Sequence, residues 1–147
     1  MRHFLFLRLC TYLLLLWALP SSADKENTNS INNLCRDIGN KLGSVSESNC
    51  IAQALTHNNG RSTEGRPLAY KEYPPLASRE PLGKVLLMGG IHGDEYSATS
   101  IMFKWMDKLN KHHSGLFHWT VVPCLNPDGL LQKKSQRQNA NGVDLNR

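Results

Sequence analysis

The feature that most constrains this chain is the run Lys84-Val85-Leu86-Leu87-Met88, cut off by Gly89-Gly90 and followed at once by a segment of helical periodicity. A strand sequence without polar alternation is the mark of a strand buried on both faces. Over 94–110, Ala98, Ile101, Met102, Trp105, Met106 and Leu109 share one helical stripe, with Lys104, Asp107 and Lys108 opposite. Asp94 and Glu95 suit the positive end of that helix's dipole. A second apolar strand is expected over 117–124, and Asn126-Pro127-Asp128-Gly129 has the composition of a turn. Strand, helix and strand in succession predict an α/β layer with a largely parallel sheet.

At 147 residues the chain has room for one domain. Residues 1–23 stand apart from it: Arg2 and Arg8 flank the apolar run 9–19, and Pro20-Ser21-Ser22-Ala23 follows. This is the pattern of a secretory signal peptide cleaved after Ala23. Asp24, Lys25 and Glu26 end the run before it reaches the roughly 20 residues of a membrane span. A secreted or periplasmic protein with no stable membrane anchor after cleavage is the expectation. Residues 24–59, rich in Asn and Ser, read as a weakly ordered leader with short helices, one of them over 51–55. The domain proper is expected over 60–147, opening with a strand over 67–73.

The formal charge of +5 falls to +3 once Arg2 and Arg8 are removed with residues 1–23. Its densest cluster, Lys133, Lys134 and Arg137, is too short to argue for nucleic acid. Export also bears on the cysteines. Cys10 lies in the signal peptide, and Cys124 follows Val121-Val122-Pro123 as a buried thiol would. Cys35 and Cys50 are then the candidate disulfide, with three reduced cysteines the alternative.

Chemistry gathers at two places. His92 and Glu95 sit between the strand and the helix, where α/β proteins place ligand sites. A spacing of three on a first helical turn lets one imidazole and one carboxylate converge on a cation. Glu95 also falls on the apolar stripe, a costly place for a carboxylate unless a bound Zn²⁺ compensates it. The plainer reading is a helix-start acid beside a solvated histidine. The second place is the tail, Arg137 and then Asn139-Ala140-Asn141-Gly142-Val143-Asp144-Leu145-Asn146-Arg147. It is either a surface loop or a set of groups for gripping a carboxylate and polarising a carbonyl. His112, His113 and His118 have no acid at ligand spacing and read as solvated.

Together these clusters resemble the zinc carboxypeptidase superfamily. Four motifs carry the likeness in the family's order: Gly60-Arg61-Ser62-Thr63-Glu64-Gly65-Arg66-Pro67, Gly90-Ile91-His92-Gly93-Asp94-Glu95, Asn126-Pro127-Asp128-Gly129 and Gly142-Val143-Asp144-Leu145-Asn146-Arg147. The resemblance implies the N-terminal half of a mixed, largely parallel sheet flanked by helices. It implies one Zn²⁺ per complete domain, bound by His92 and Glu95, with Arg137 polarising the scissile carbonyl. Asn146 and Arg147 would hold a substrate's terminal carboxylate, and Asp144 would orient the metal-binding His92.

His-Gly-Asp-Glu is closer to the murein peptide amidase branch than to the digestive enzymes. The substrate implied is a cell-wall murein peptide, cut between γ-D-glutamate and diaminopimelate. The family's third zinc ligand, a His, and its catalytic Glu have no counterpart up to Arg147. The sequence therefore reads as a truncated form, inactive alone. One alternative is a deacylase resembling succinylglutamate desuccinylase or aspartoacylase. Another is a module that binds peptide carboxylates without catalysis.

Overall fold

The computed structural model describes residues 22–147, so the expected signal peptide lies almost wholly outside the described residues. The elements run α1 (Ser22–Lys41), α2 (Glu47–Ala52), β1 (Lys71–Tyr73), β2 (Lys84–Met88), α3 (Tyr96–His112), β3 (His118–Val122) and α4 (Pro127–Leu131). Among the described residues no helix is long and apolar enough to cross a membrane.

Where a weakly ordered leader was expected, the chain forms a 20-residue helix. Ile31, Leu34, Cys35, Ile38 and Leu42 recur at helical spacing and are buried, a stripe obscured in the sequence by the Asn and Ser between them. Each such side chain contributes about 1.5–3 kcal/mol on burial, enough to outweigh the poor helix propensity of the residues around it. The stripe packs α1 on α2 and α4. Cys35 and Cys50 form a disulfide, with Cα atoms 5.3 Å apart, that joins α1 to α2. At the end of α1, Lys41 donates from Nζ to the carbonyls of Gln132 (2.6 Å) and Lys133 (3.3 Å), at the C-terminal end of α4 where carbonyls lack helical partners.

The sheet is small and mixed, in the order β1-β3-β2. β2 pairs parallel to β3, with Leu87 opposite Val121, whereas β1 pairs antiparallel on the other side. Here α3 is the crossover the periodicity implied, but it is rotated from the expected stripe. Thr99, Met102, Phe103 and Met106 are its buried residues, while Ile101 and Trp105 are exposed. Phe103 displaces them because it is the largest fully buried side chain, and the core forms around it.

β2 is likewise not buried on both faces. Its side chains alternate, with Leu86 60% exposed, because β2 is an edge strand and one sheet face is left without a covering layer among the described residues. On the covered face, Leu87 and Trp119 join Val121, Tyr73, Phe103 and Met106 in the core. Tyr73 donates its hydroxyl to the Met106 carbonyl (3.2 Å), and burial pushes its phenol up to about 12.

Two further segments differ from expectation. The helix read over 51–55 is α2, which starts earlier because Ser46 caps it by accepting the Asn49 N–H. Asp107, expected on a solvated face, accepts from Gln53 Nε2 at 2.7 Å, and Gln53 is itself buried. Asn110 Nδ2 donates back to Gln53 Oε1, so α2 and α3 are joined by a chain of amides.

Candidate functional site

Both parallel strands end on the same side, and the loops that leave them are laced together by the backbone. Gly89 N–H donates to Val122 O, and the N–H groups of Leu125 and Asn126 donate to Gly89 O and Gly90 O, each at 2.9 Å. Gly90 has φ +58°, and a Cβ there would strike the Thr99 hydroxyl. A Cβ at Gly93 would overlap the backbone of Gly129 and Leu130, so the loop can lie this close to α4 only as glycine.

His92 is carried by this loop and buried. Its Nε2 lies 3.1 Å from Asp144 Oδ1 and its Nδ1 lies 3.0 Å from Glu95 Oε1. The Asn146 backbone N–H, donating to Asp144 at 3.0 Å, holds that carboxyl down to about 2, with Arg137 and His92 adding to the effect against desolvation. Each ring nitrogen of His92 faces a carboxylate oxygen, and an ionised carboxylate only accepts, so either tautomer finds a partner. With the proton on Nε2 toward Asp144, the Nδ1 lone pair would face the Glu95 carboxylate, two acceptors with a cation's place between them.

The pair fits zinc in donor chemistry and spacing. Bonds of 2.0–2.2 Å in tetrahedral geometry put two ligand atoms roughly 3.3 Å apart. The Glu95 carboxylate is free to take this role because, as the residue capping α3, it makes no side-chain cap bond. Its side chain is 50% exposed, so the expectation of a core-facing carboxylate does not hold, and the pairing rests on geometry rather than on desolvation. Among the described residues no group of three or more His, Cys, Asp and Glu side chains is arranged to hold a metal.

Arg137 completes the cluster. Its Nε donates to Asp144 Oδ2 at 2.9 Å and its Nη1 lies 3.4 Å from Glu95 Oε1. The bond to Asp144 raises the guanidinium above its already high value. Arg147 approaches Asp144 at 3.7 Å from the rim, with its side chain 77% exposed. The structure thus brings His92, Glu95, Arg137 and Asp144 together, with Asn146 touching through its backbone. The three other candidate histidines stay away. His113 Nε2 is bonded to Pro74 O, His118 sits near Glu72, and His112 ends α3, about 25 Å along the helix from Glu95.

The sequence reading missed the support beneath the site. Asn126-Pro127-Asp128-Gly129 is the first turn of α4, with Asn126 accepting the Gly129 N–H as its cap. Asn followed by Pro was the available signal for a helix start. Asp128 is buried and accepts from Ser62 Oγ (2.6 Å), Arg66 Nη1 (2.7 Å) and Glu64 N–H (3.0 Å). Burial alone would raise its pKa, but these donors hold it below the usual carboxylate range. Two of the recognised motifs therefore meet through one carboxylate. Cys124, beside this turn, is a free and buried thiol, and burial pushes it up to about 12.

The family described as succinylglutamate desuccinylase/aspartoacylase catalytic domain matches residues 81–147. Murein peptide amidase A of Escherichia coli K12 is 41% identical over 97 residues, covering 63% of this chain and 34% of that protein. Carboxypeptidase E of Caenorhabditis elegans is 31% identical over 129 residues, covering 73% of this chain and 27% of that protein. A solved structure assigned as a metallopeptidase, from Shewanella amazonensis, superposes with a TM-score of 0.52 at 21% identity, over 66% of this chain and 35% of that one. These likenesses support the zinc carboxypeptidase-like superfamily. The chain's small mixed sheet and flanking helices are that fold, and it spans about a third or less of the length of these curated relatives.

Proposed function

We propose that the chain carries part of the centre of a zinc-dependent hydrolase that cuts an amide bond next to a terminal carboxylate, in murein peptides outside the cytoplasm. The observation that carries this reading is the His92 ring held between two carboxylates, its Nδ1 3.0 Å from Glu95 and its Nε2 3.1 Å from Asp144. His92 and Glu95 would hold the ion, and Asp144 would keep the imidazole in the ligating tautomer. When bound, zinc supplies Lewis acidity, polarising a carbonyl and lowering the pKa of water.

Arg137, with Nε committed to Asp144, offers its remaining donors to the substrate carbonyl. Arg147 at the exposed rim, with Asn146, would receive the terminal carboxylate. Similarity to the murein peptide amidase supports the substrate class. Two protein donors alone would hold zinc weakly, since a catalytic zinc takes three protein ligands and water.

A deacylase acting on an N-acylated acidic amino acid is the second reading, favoured by the family match over 81–147. Zinc titration by calorimetry tests what the two readings share. Affinity should fall about tenfold or more in His92→Ala and Glu95→Gln, the size of losing a hydrogen-bonded ligand or its support, and stay unchanged in His113→Ala. Equal zinc affinity in all four proteins would end both. Shifts of the Asn146 and Arg147 amide resonances on adding a γ-D-glutamyl-diaminopimelate peptide, and not N-acetylaspartate or N-succinylglutamate, would favour the amidase.

A further inference from the structure

Asn126 touches neither the candidate ligands nor a substrate position, yet it connects the two segments that build the site. It is 2% exposed, and every polar group it has is engaged. Its backbone N–H donates to Gly90 O at 2.9 Å, two residues before His92. Its side-chain Oδ1 accepts the Gly129 N–H at 2.9 Å, and its Nδ2 donates to the Arg137 carbonyl at 3.2 Å. Gln136 N–H adds a bond to Gly129 O at 2.9 Å, and a Cβ at Gly129 would overlap the carbonyls of Gln136 and Gln138. The arginine-bearing segment is thus laid directly on α4.

We propose that Asn126 is a positioning residue for Arg137, fixing where its guanidinium stands relative to His92, Glu95 and Asp144. The inference rests on the reading of Arg137 as the group that meets the substrate carbonyl. Its physical basis is the cost of an unpaired buried amide, which leaves the Arg137 carbonyl one acceptable place. No helix or strand follows α4 among residues 132–147, so Asn126 and the Gln136–Gly129 bond are the main local restraints on the backbone at residue 137. A displacement of about 1 Å would carry the 2.9 Å bond between Arg137 Nε and Asp144 out of range.

Asn126→Asp separates this role from capping. Aspartate caps a helix as well as asparagine does, so the Gly129 bond survives while an acceptor replaces the donor facing the Arg137 carbonyl. The readout is the Nε–H signal of Arg137 in ¹⁵N-labelled protein. Its exchange with solvent should accelerate about tenfold in Asn126→Asp, the equivalent of one hydrogen bond, and move toward that of Arg137 in Asp144→Asn. Asn126→Ser, which keeps a capping oxygen without the reach to residue 137, should behave alike and stands in if the aspartate variant does not fold. Tyr73→Phe, which loses a buried bond elsewhere, should lower stability and leave the Arg137 signal unchanged. An Arg137 signal that is wild-type in both Asn126 variants, or equally disturbed in Tyr73→Phe, overturns the proposal. The zinc titration is read separately, so wild-type protein that binds no zinc while the Arg137 effect holds defeats the functional reading alone.

Discussion

Replacing Asp128 by Asn changes one atom in a buried carboxylate that accepts three hydrogen bonds. The carbonyl oxygen of the new amide can still accept from Ser62 and Arg66, but its NH₂ then points at the Glu64 N–H, donor against donor. The lost bond to a charged acceptor is worth about 1.5–3 kcal/mol, and Glu64 is exposed, so its N–H can turn to water without a further burial cost. The expected loss is therefore about 1.5–3 kcal/mol, or roughly 5–10 °C in melting temperature for a domain of this size.

Thermal unfolding followed by circular dichroism at pH 7 measures it, with the disulfide intact in both proteins. The acid limb gives a second check. Because the folded carboxyl is held below its unfolded value of about 3.9, its contribution is complete above that pH and is lost as pH falls through the folded pKa. The gap between wild type and Asp128→Asn should therefore close below about pH 4. A melting temperature within two or three degrees of wild type, which is about 1 kcal/mol at most, would refute the reasoning, as would a gap that persists undiminished at pH 3.

Three other outcomes follow from the same structure. Cys35→Ser opens a loop of sequence separation 15 and should destabilise by about 3 kcal/mol in the chain-entropy model, read from urea midpoints, with no change on adding reductant. Reductant should lower the wild-type midpoint by the same amount. Cys124, buried and with its thiol held up to about 12, should resist maleimide in native protein at pH 7.5 and react only as fast as the fold opens, unlike an exposed thiol. Leu130→Ala, at a fully buried position on α4, should cost about 2–5 kcal/mol by mass-resolved proteolysis or denaturant titration.

What could be read from the sequence was the part written in local spacing. The β2, α3, β3 order follows from two short apolar runs with a 3.6-residue period between them, and His92 and Glu95 declare themselves by lying between a Gly-Gly break and a helix. Asp144 came only through likeness to a family, since nothing local says that a residue 52 positions away meets the His92 ring. α1 was missed because Asn and Ser, poor helix formers, flank a stripe whose stabilisation comes from packing against α2 and α4. The rotation of α3 was missed because the sequence offers Ile101, Trp105 and Phe103 as equals, and only the shape of the core chooses Phe103. Asn126 and Asp128 were read as turn residues since their partners, Arg137 and the 62–66 loop, are distant in sequence.

Lys41 draws a boundary that similarity does not. Resemblance to the matched family begins at residue 81, yet the ammonium closing α1 is bonded to the carbonyls of Gln132 and Lys133, on the stretch leading to Arg137. That stretch is held from one side by α4 and from the other by a helix forty residues ahead of the match. An excised 81–147 segment would be a unit of descent and not a unit of folding. Its arginine would arrive at the site on a tether anchored at one end.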